Sequence, residues 1–145
     1  MFKRILVGYD GSKGAEGALR KAVELAKVCH AQVLVLTVYR HHSLLEASFS
    51  MVRPQEPENM DDLMRGHATE VADYGKKVAR EAGAENVRAF VKAGQPSRSI
   101  IAFAREHDVD LIAVGCRGLG SIEGYMVGSV SHKITGLADR PVLVV

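Results

Sequence analysis

Hydrophobic residues along this chain follow two alternating patterns, short apolar runs and longer stretches in which apolar residues recur every three or four positions. The short runs are rich in Val, Ile and Leu and predict strands, whereas the longer stretches predict amphipathic helices. The predicted strands are residues 5–8, 32–39, 87–91, 110–114 and 141–145. The predicted helices are residues 13–29, 60–82, 96–106 and 128–138. This alternation is typical of an α/β fold with a parallel sheet covered by helices.

Residues 40–59 interrupt the alternation between the second strand and the second helix. Pro54 and Pro57 lie in this segment and favour a loop, because proline lacks a backbone N–H and ends regular structure. Loops of this length in a compact domain are usually either functional or disordered, and the residues leave both alternatives open. We expect a partner-contact or oligomerisation insert at about 40–59.

The composition is that of one globular domain spanning residues 1–145, with 47% hydrophobic and 25% charged residues. The formal net charge is only +2 and basic residues are scattered among acidic ones, so nucleic acid is not favoured as a partner. No apolar run approaches the roughly 18 residues of a membrane span, and residues 2–7 enter a strand rather than a signal peptide. We therefore expect a cytoplasmic protein that is not embedded in a membrane.

A glycine pattern follows the fourth predicted strand, with Gly115-Cys116-Arg117-Gly118 and then, after nine residues, Gly128-Ser129. We expect Gly115 to allow a sharp turn through positive φ, which glycine adopts without steric cost. The missing side chains at the three glycines would let phosphate oxygens approach the backbone. The amides that open the next helix would form an anion site, to which Ser129 adds a hydroxyl. The pattern therefore predicts a nucleotide site.

Asp10 follows the first strand and is expected to face the same crevice. In open parallel sheets, ligands bind beyond the carboxyl ends of the strands, where the strand order reverses. Asp10 could there bind a ribose hydroxyl, a ligand amine or a phosphate-bound Mg²⁺ ion. The alternative is that Asp10, in the turn Asp10-Gly11-Ser12, only caps the following helix, and one carboxylate could do both.

These residues together resemble the universal stress protein family across essentially the whole chain. The matching motifs are Gly115-x2-Gly118-x9-Gly128-Ser129, Asp10-Gly11-Ser12, Gly94-x-Pro96 and the terminal Pro141-Val142-Leu143-Val144-Val145. The resemblance implies a three-layer Rossmann-like fold, with a five-stranded parallel sheet of order 3-2-1-4-5 and helices on both faces. It also implies a homodimer and ATP bound between the first and fourth strands.

The resemblance assigns residues to this ATP site by position. It implies that Gly8, Tyr9 and Asp10 line the adenosine pocket and that Val38 offers its backbone to the adenine. Ribose and phosphates would lie along Gly115, Cys116, Arg117, Gly118, Leu119, Gly120 and Ser121, and the phosphate site would be completed by Gly128, Ser129, Val130 and Ser131. Mg²⁺ would be held through the ATP phosphates, with Asp10 as a candidate ligand. No residue is assigned a catalytic role.

A narrower resemblance concerns the insert. Residues 41–48 and 50–54 are similar to the insert of universal stress proteins associated with TRAP-type solute transporters. This similarity implies a cytoplasmic, ATP-responsive regulator of a transporter that works with a substrate-binding protein.

The last predicted strand, from Pro141 to Val145, is short and apolar, and as a sheet edge it would expose unpaired backbone groups. Pairing with a second copy would cover them, so we expect a symmetric dimer through this strand. A covering loop or helix is the alternative. Whether dimers pair further into tetramers through the insert stays open.

Three classes of function remain, of which an ATP-binding signalling module is favoured. Ligand binding would order the glycine loop and change a surface that is offered to a partner. The second class is a slow ATP-hydrolysing enzyme, but the sequence lacks a GxxxxGK[ST] loop, and no second acid or histidine is placed beside Asp10 to position a water. The third class is a nucleotide-independent dimeric scaffold, which the intact glycine pattern disfavours.

Cysteine and histidine residues add two weaker hypotheses. Cys29 and Cys116 lack metal-ligand spacing and are expected to be reduced thiols, and Cys116 could sense redox state or simply replace a serine. His41 and His42 could bind a metal ion, although adjacent histidines without a clear third ligand are usually solvated.

Overall fold

The computed structural model describes residues 1–40, 57–116 and 129–145. Strands and helices alternate along these ranges. The strands are β1 (Arg4–Gly8), β2 (Gln32–Tyr39), β3 (Val87–Ala93), β4 (Leu111–Val114) and β5 (Val142–Val144). The helices are α1 (Lys13–Cys29), α2 (Pro57–Glu81), α3 (Pro96–Glu106) and α4 (Ser129–Leu137).

The strands form one parallel sheet in the order β3-β2-β1-β4-β5. Val7 of β1 lies opposite Val35 of β2 on one side and Ala113 of β4 on the other. The strand order therefore reverses between β1 and β4. This arrangement confirms the predicted fold class and places the reversal at the two loops that carry Asp10 and Gly115.

Helices cover both faces of the sheet, which divides the core into two clusters. On one face, Ile5 and Val35 pack with Leu19 of α1 and Val78 of α2. On the other, Leu6 and Leu36 pack with residues of α3 and α4, including Phe103 and Ile134. Successive strand residues thus enter opposite clusters, so a central strand is apolar at nearly every position. We call these the α1/α2 face and the α3/α4 face.

Two predicted boundaries are wrong by more than one residue. Helix α2 begins at Pro57, so residues 57–59 belong to a helix rather than to the predicted loop. Proline fits the first helical position, where its missing N–H has no intrahelical partner. Strand β3 continues to Ala93, two residues beyond the prediction, because backbone pairing with β2 persists after the apolar pattern ends at Val91.

The rest of the predicted insert, residues 41–56, lies outside the described residues. Across the described part of the chain, none of the helices has the length and apolar character needed to cross a membrane.

Candidate functional site

The loop between β1 and α1 is held by two side chains. The Asp10 carboxylate accepts a hydrogen bond from the Ser12 backbone N–H at 2.9 Å, and Ser12 Oγ accepts from the N–H of Ala15 at 3.2 Å. Ser12 is therefore the helix cap, and Asp10 fixes the turn that presents it. Gly11 has a φ of 83°, a left-handed conformation that favours glycine.

Tyr9 contributes its backbone to this edge of the sheet, while its ring lies in the core. The side chain is buried against α2, where a Cβ on Gly75 would lie only 2.8 Å from the Tyr9 ring. Burial is the main cause that raises the pKa of the Tyr9 hydroxyl, and the nearby Glu16 carboxylate adds to it. The Tyr9 carbonyl accepts a hydrogen bond from Thr37 Oγ at 2.8 Å.

A cavity of about 380 Å³ lies between the carboxyl ends of β1 and β2 and the first half of α2. We call it the α2 cavity. It is lined by Asp10, Thr37, Val38, Tyr39, Leu63, Met64, His67, Ala68 and Val71. Its volume falls within the range of small-molecule sites, and its lining is mostly apolar with a few polar groups, as in such sites.

Two polar side chains at the sheet side of this cavity, Thr37 and Asp10, are hydrogen-bond acceptors. The Thr37 hydroxyl has one hydrogen, which it donates to Tyr9, so it can only accept from a ligand. A carboxylate such as that of Asp10 also only accepts hydrogen bonds. These two side chains therefore favour a ligand that presents N–H or O–H donors to them.

Thr37 was not predicted as a site residue. The signal for it was a hydroxyl in the otherwise almost apolar strand of residues 32–39.

Val38, which was predicted to offer its backbone, lines the α2 cavity. Its side chain packs against the α3/α4 face, and the cavity lies on the opposite face of the sheet. Because strand side chains alternate between the two faces, Val38 presents its backbone rather than its side chain to the cavity. Gly8, the last residue of β1, lies close to α3, since a Cβ there would be 3.0 Å from Ile100 Cδ1.

At the end of β4, Gly115 is in close contact with α1. A Cβ on Gly115 would lie 2.5 Å from the carbonyl carbon and 2.7 Å from the carbonyl oxygen of Gly14. Gly115 does not adopt positive φ, so the conformational reason predicted for this glycine is wrong. Glycine is required here because the backbone of the first turn of α1 leaves no room for a side chain. Cys116 comes next, and its N–H donates to Val145 O at 2.7 Å.

The start of α4 lies next to this strand end. Ser129 is the exposed first residue of the helix, Val130 packs against the α3/α4 face, and Ser131 is buried. Ser131 Oγ donates to Gly115 O, which joins α4 to the end of β4. The remaining predicted contacts, Arg117, Gly118, Leu119, Gly120, Ser121 and Gly128, lie outside the described residues.

The structure thus places the described candidates along the carboxyl edge of the sheet, with Val38 near the end of β2 and the others at the ends of β1 and β4 or at the start of α4. Gly14 and Gly115 hold the two loops in contact. In residues 1–40, 57–116 and 129–145, His, Cys, Asp and Glu side chains form no group of three or more able to hold a metal ion. His41 and His42 are outside these ranges.

Comparison with known proteins gives a match over the entire chain. Residues 1–145 match the model of the universal stress protein family. The universal stress protein YxiE of Bacillus subtilis is 34% identical over 149 residues, and the match covers 100% of this chain and 99% of YxiE.

Solved structures share the fold. The universal stress protein UspA from Lactobacillus plantarum has a TM-score of 0.82 and 24% identity, covering 99% of this chain and 97% of that one. A universal stress protein in complex with cAMP has a TM-score of 0.74 at 24% identity, covering 99% and 96% of the two chains. The Archaeoglobus fulgidus protein in complex with dAMP has a TM-score of 0.67 at 24% identity, covering 99% and 97%.

Proposed function

Because the chain belongs to the universal stress protein family, we propose that it is a regulatory protein that binds ATP where β1, β2 and β4 end. The observation that carries this proposal is the α2 cavity, in which Asp10 and Thr37 offer hydrogen-bond acceptors next to an apolar lining. An adenine ring combines an apolar face with an exocyclic amino group that donates two hydrogen bonds. Its chemistry therefore matches this lining.

The phosphates would lie toward α4. Its first turn has backbone N–H groups without intrahelical partners, and such groups favour an anion. The crowded contact between Gly115 and Gly14 brings the end of β4 against α1, so one ligand could reach both loops. Asp10 is the candidate for contact with ribose or with phosphate-bound Mg²⁺.

Two proteins with this fold are described as complexes with cAMP and with dAMP. Both ligands are adenine nucleotides. At 24% identity these proteins share the fold with our chain, and their ligands support the proposal only by analogy.

The proposed role is regulation through occupancy rather than turnover. ATP would bias the protein toward one conformation by binding it more tightly than the other. Hydrolysis, if it occurs, would be slow, because the sequence lacks the lysine-bearing loop of fast phosphoryl-transfer enzymes. Release of ADP above the level of a Gly128→Val control would favour the enzymatic alternative.

We also propose assembly through β5. This strand is an edge of the sheet, and its residues are only partly buried in one copy of the chain. A second copy pairing along it would satisfy the outward backbone groups. Tetramers would need a further contact, for which the insert at about 40–59 is the candidate.

The proposed partner is a subunit of a TRAP-type transporter, contacted from the cytoplasm through the insert. The support is the similarity of residues 41–48 and 50–54 to inserts of transporter-associated relatives. The test is co-purification of the transporter subunits with the full chain and with a chain in which residues 41–56 are replaced by a short Gly/Ser linker. Equal recovery by both chains would refute the insert as the contact.

The nucleotide proposal is tested first by mass spectrometry of ligand released from purified protein, and then by calorimetric titration of ATP with Mg²⁺ into the emptied protein. We expect binding by the native chain and none by Gly128→Val. The matched control is Gly136→Val, since the Gly136 position in α4 has open space around it. If the native chain does not bind ATP, the scaffold alternative replaces this proposal.

A further inference from the structure

Ser131 is buried, with 4% of its surface exposed, in the first turn of α4. Its Oγ lies 2.5 Å from Gly115 O and 3.5 Å from Cys116 O. A serine hydroxyl has one hydrogen, and the nearer carbonyl takes it. The hydroxyl is therefore already used inside the protein as a donor and cannot donate to a phosphate while this bond exists.

The backbone that this hydroxyl holds is fixed on two other sides. Gly115 is in close contact with the Gly14 carbonyl of α1. The N–H of Cys116 donates to Val145 O, just after β5. Ser131 supplies the third attachment, from α4. Elements that are distant in sequence thus determine together where the two residues after β4 lie. Gly115 and Cys116 are themselves candidate nucleotide contacts, so their position determines the shape of the site.

We propose that Ser131 is a positioning residue, whose hydroxyl anchors the Gly115–Cys116 backbone to α4 so that this backbone is preformed for the nucleotide. The inference rests on the proposed nucleotide binding and changes the role of Ser131, which the family resemblance had placed among the phosphate contacts. A site that is ordered before binding loses less conformational entropy when the ligand enters. The contribution of Ser131 to affinity is therefore indirect.

Removal of the hydroxyl in Ser131→Ala should loosen the strand end in the absence of any ligand. Cys116 is a built-in reporter, because it is a partly buried residue of the anchored segment, and Cys29, also partly buried, is an internal reference at the end of α1. One neutral hydrogen bond corresponds to about a two- to tenfold change in an equilibrium. We expect alkylation of Cys116 by iodoacetamide to accelerate by about that factor relative to Cys29.

Ser97→Ala is the matched control, since Ser97 is also a buried serine in the first turn of a helix on the α3/α4 side, with 2% exposed. Peptide mass spectrometry gives the two alkylation rates for the native chain, Ser131→Ala, Ser97→Ala and Ser131→Thr, which retains the hydroxyl. Calorimetry with ATP and Mg²⁺ follows on the same proteins. We expect Ser131→Ala alone to raise the Cys116/Cys29 ratio and to weaken ATP binding by about two- to tenfold.

Three outcomes would overturn the proposal. An unchanged Cys116/Cys29 ratio in Ser131→Ala, with weaker ATP binding, would make Ser131 a direct ligand contact. Equal acceleration at both cysteines would make it a general stabilising residue. A Ser131→Thr chain that behaves like Ser131→Ala would show that the hydroxyl is not what matters. Failure of the native chain to bind ATP would refute the proposed function, whereas the ligand-free alkylation ratio would still decide the anchoring role.

Discussion

At the scale of single residues, Thr37 is the side chain most suited to selecting the base. Its hydroxyl can only accept from a ligand, because its hydrogen is donated to the Tyr9 carbonyl. It should therefore favour adenine, which has an amino group, over hypoxanthine, which has a carbonyl at the same ring position. In Thr37→Val we expect affinity for ATP to fall by about two- to tenfold, the worth of one neutral hydrogen bond, while affinity for ITP changes little.

Calorimetry with both nucleotides on the native chain, Thr37→Val and Thr37→Ser measures this ratio. The serine variant keeps the hydroxyl and should keep the preference. Equal loss of ATP and ITP binding in Thr37→Val would contradict base selection. That result would instead mean that the substitution acts through the Tyr9 carbonyl, which it leaves without its hydrogen bond.

At the scale of the helix, α2 contains two interior glycines in opposite environments. Gly66 has open space where a Cβ would be, whereas a Cβ on Gly75 would lie 2.8 Å from the ring of Tyr9 and 3.1 Å from Val35. Gly66→Ala should raise the free energy of unfolding by about 0.5–1 kcal/mol, because alanine loses less backbone entropy in a helix. Gly75→Ala should lower it by about 1–3 kcal/mol through overpacking.

Urea denaturation of the two variants measures both changes in the free energy of unfolding. Each variant is the control for the other, because both carry the same substitution in the same helix. The same sign of change for both would contradict the packing of α2 against Tyr9.

At the scale of neighbouring strands, Asp110 attaches the start of β1 to the start of β4. Its Oδ2 accepts from the backbone N–H groups of Lys3 at 2.6 Å and Arg4 at 2.8 Å. The hydrogen bond from the Arg4 N–H is the main cause that lowers the pKa of Asp110 below its ordinary value of 3.8. A lowered pKa in the folded state contributes stability that is fully present above the unfolded value and is lost as the pH falls through the folded value.

The stability difference between the native chain and Asp110→Asn should therefore be largest near neutral pH and should shrink below about pH 3.8. Urea denaturation at a series of pH values measures it, with Asp73→Asn on the exposed side of α2 as the control. A difference that is constant with pH would mean that the carboxylate charge is not what stabilises the strand pair.

At the scale of the whole molecule, the sequence was sufficient for the fold class and for locating some candidate residues at the ends of β1 and β4, whereas their role in a site stays a prediction. Strands buried on both faces leave near-continuous apolar runs, and local signals such as Ser12 before α1 and Pro96 at the start of α3 mark helix ends, so α1 and α3 match their predicted bounds. The order of five parallel strands came from the family resemblance. The bounds of β3 were missed because backbone pairing, not side-chain pattern, extends it.

What the sequence could not give were contacts between residues far apart along the chain. Gly14 meets Gly115, Gly75 meets Tyr9, and the Ser131 hydroxyl meets the Gly115 carbonyl only in the folded protein. A glycine motif has the same letters whether it provides a left-handed turn or room for another backbone. For this reason the position of Gly115 was predicted correctly and its physical reason was not.

The assembly is the last property at this scale, and the hydrogen-bond pattern of the two edge strands allows a sharp test. Residues 141, 143 and 145 bond to β4, which leaves the N–H of Val144 directed away from the sheet. On β3, the opposite edge, the N–H of Val91 is directed away in the same manner. Proline is tolerated at such edge positions but removes the N–H that a pairing strand would need.

If two copies pair through β5, Val144→Pro should shift the mass measured by analytical ultracentrifugation from dimer to monomer, while Val91→Pro should leave a dimer. The far-ultraviolet circular dichroism of both variants should stay native, since neither N–H takes part in the sheet of one copy. A dimer that survives Val144→Pro would exclude pairing through this strand, and a dimer lost only in Val91→Pro would move the interface to β3. A dimer at this edge would lie two strands away from the α2 cavity. It would also lie directly beside the residues that Ser131 anchors, because the Cys116 N–H donates to Val145 O just after β5.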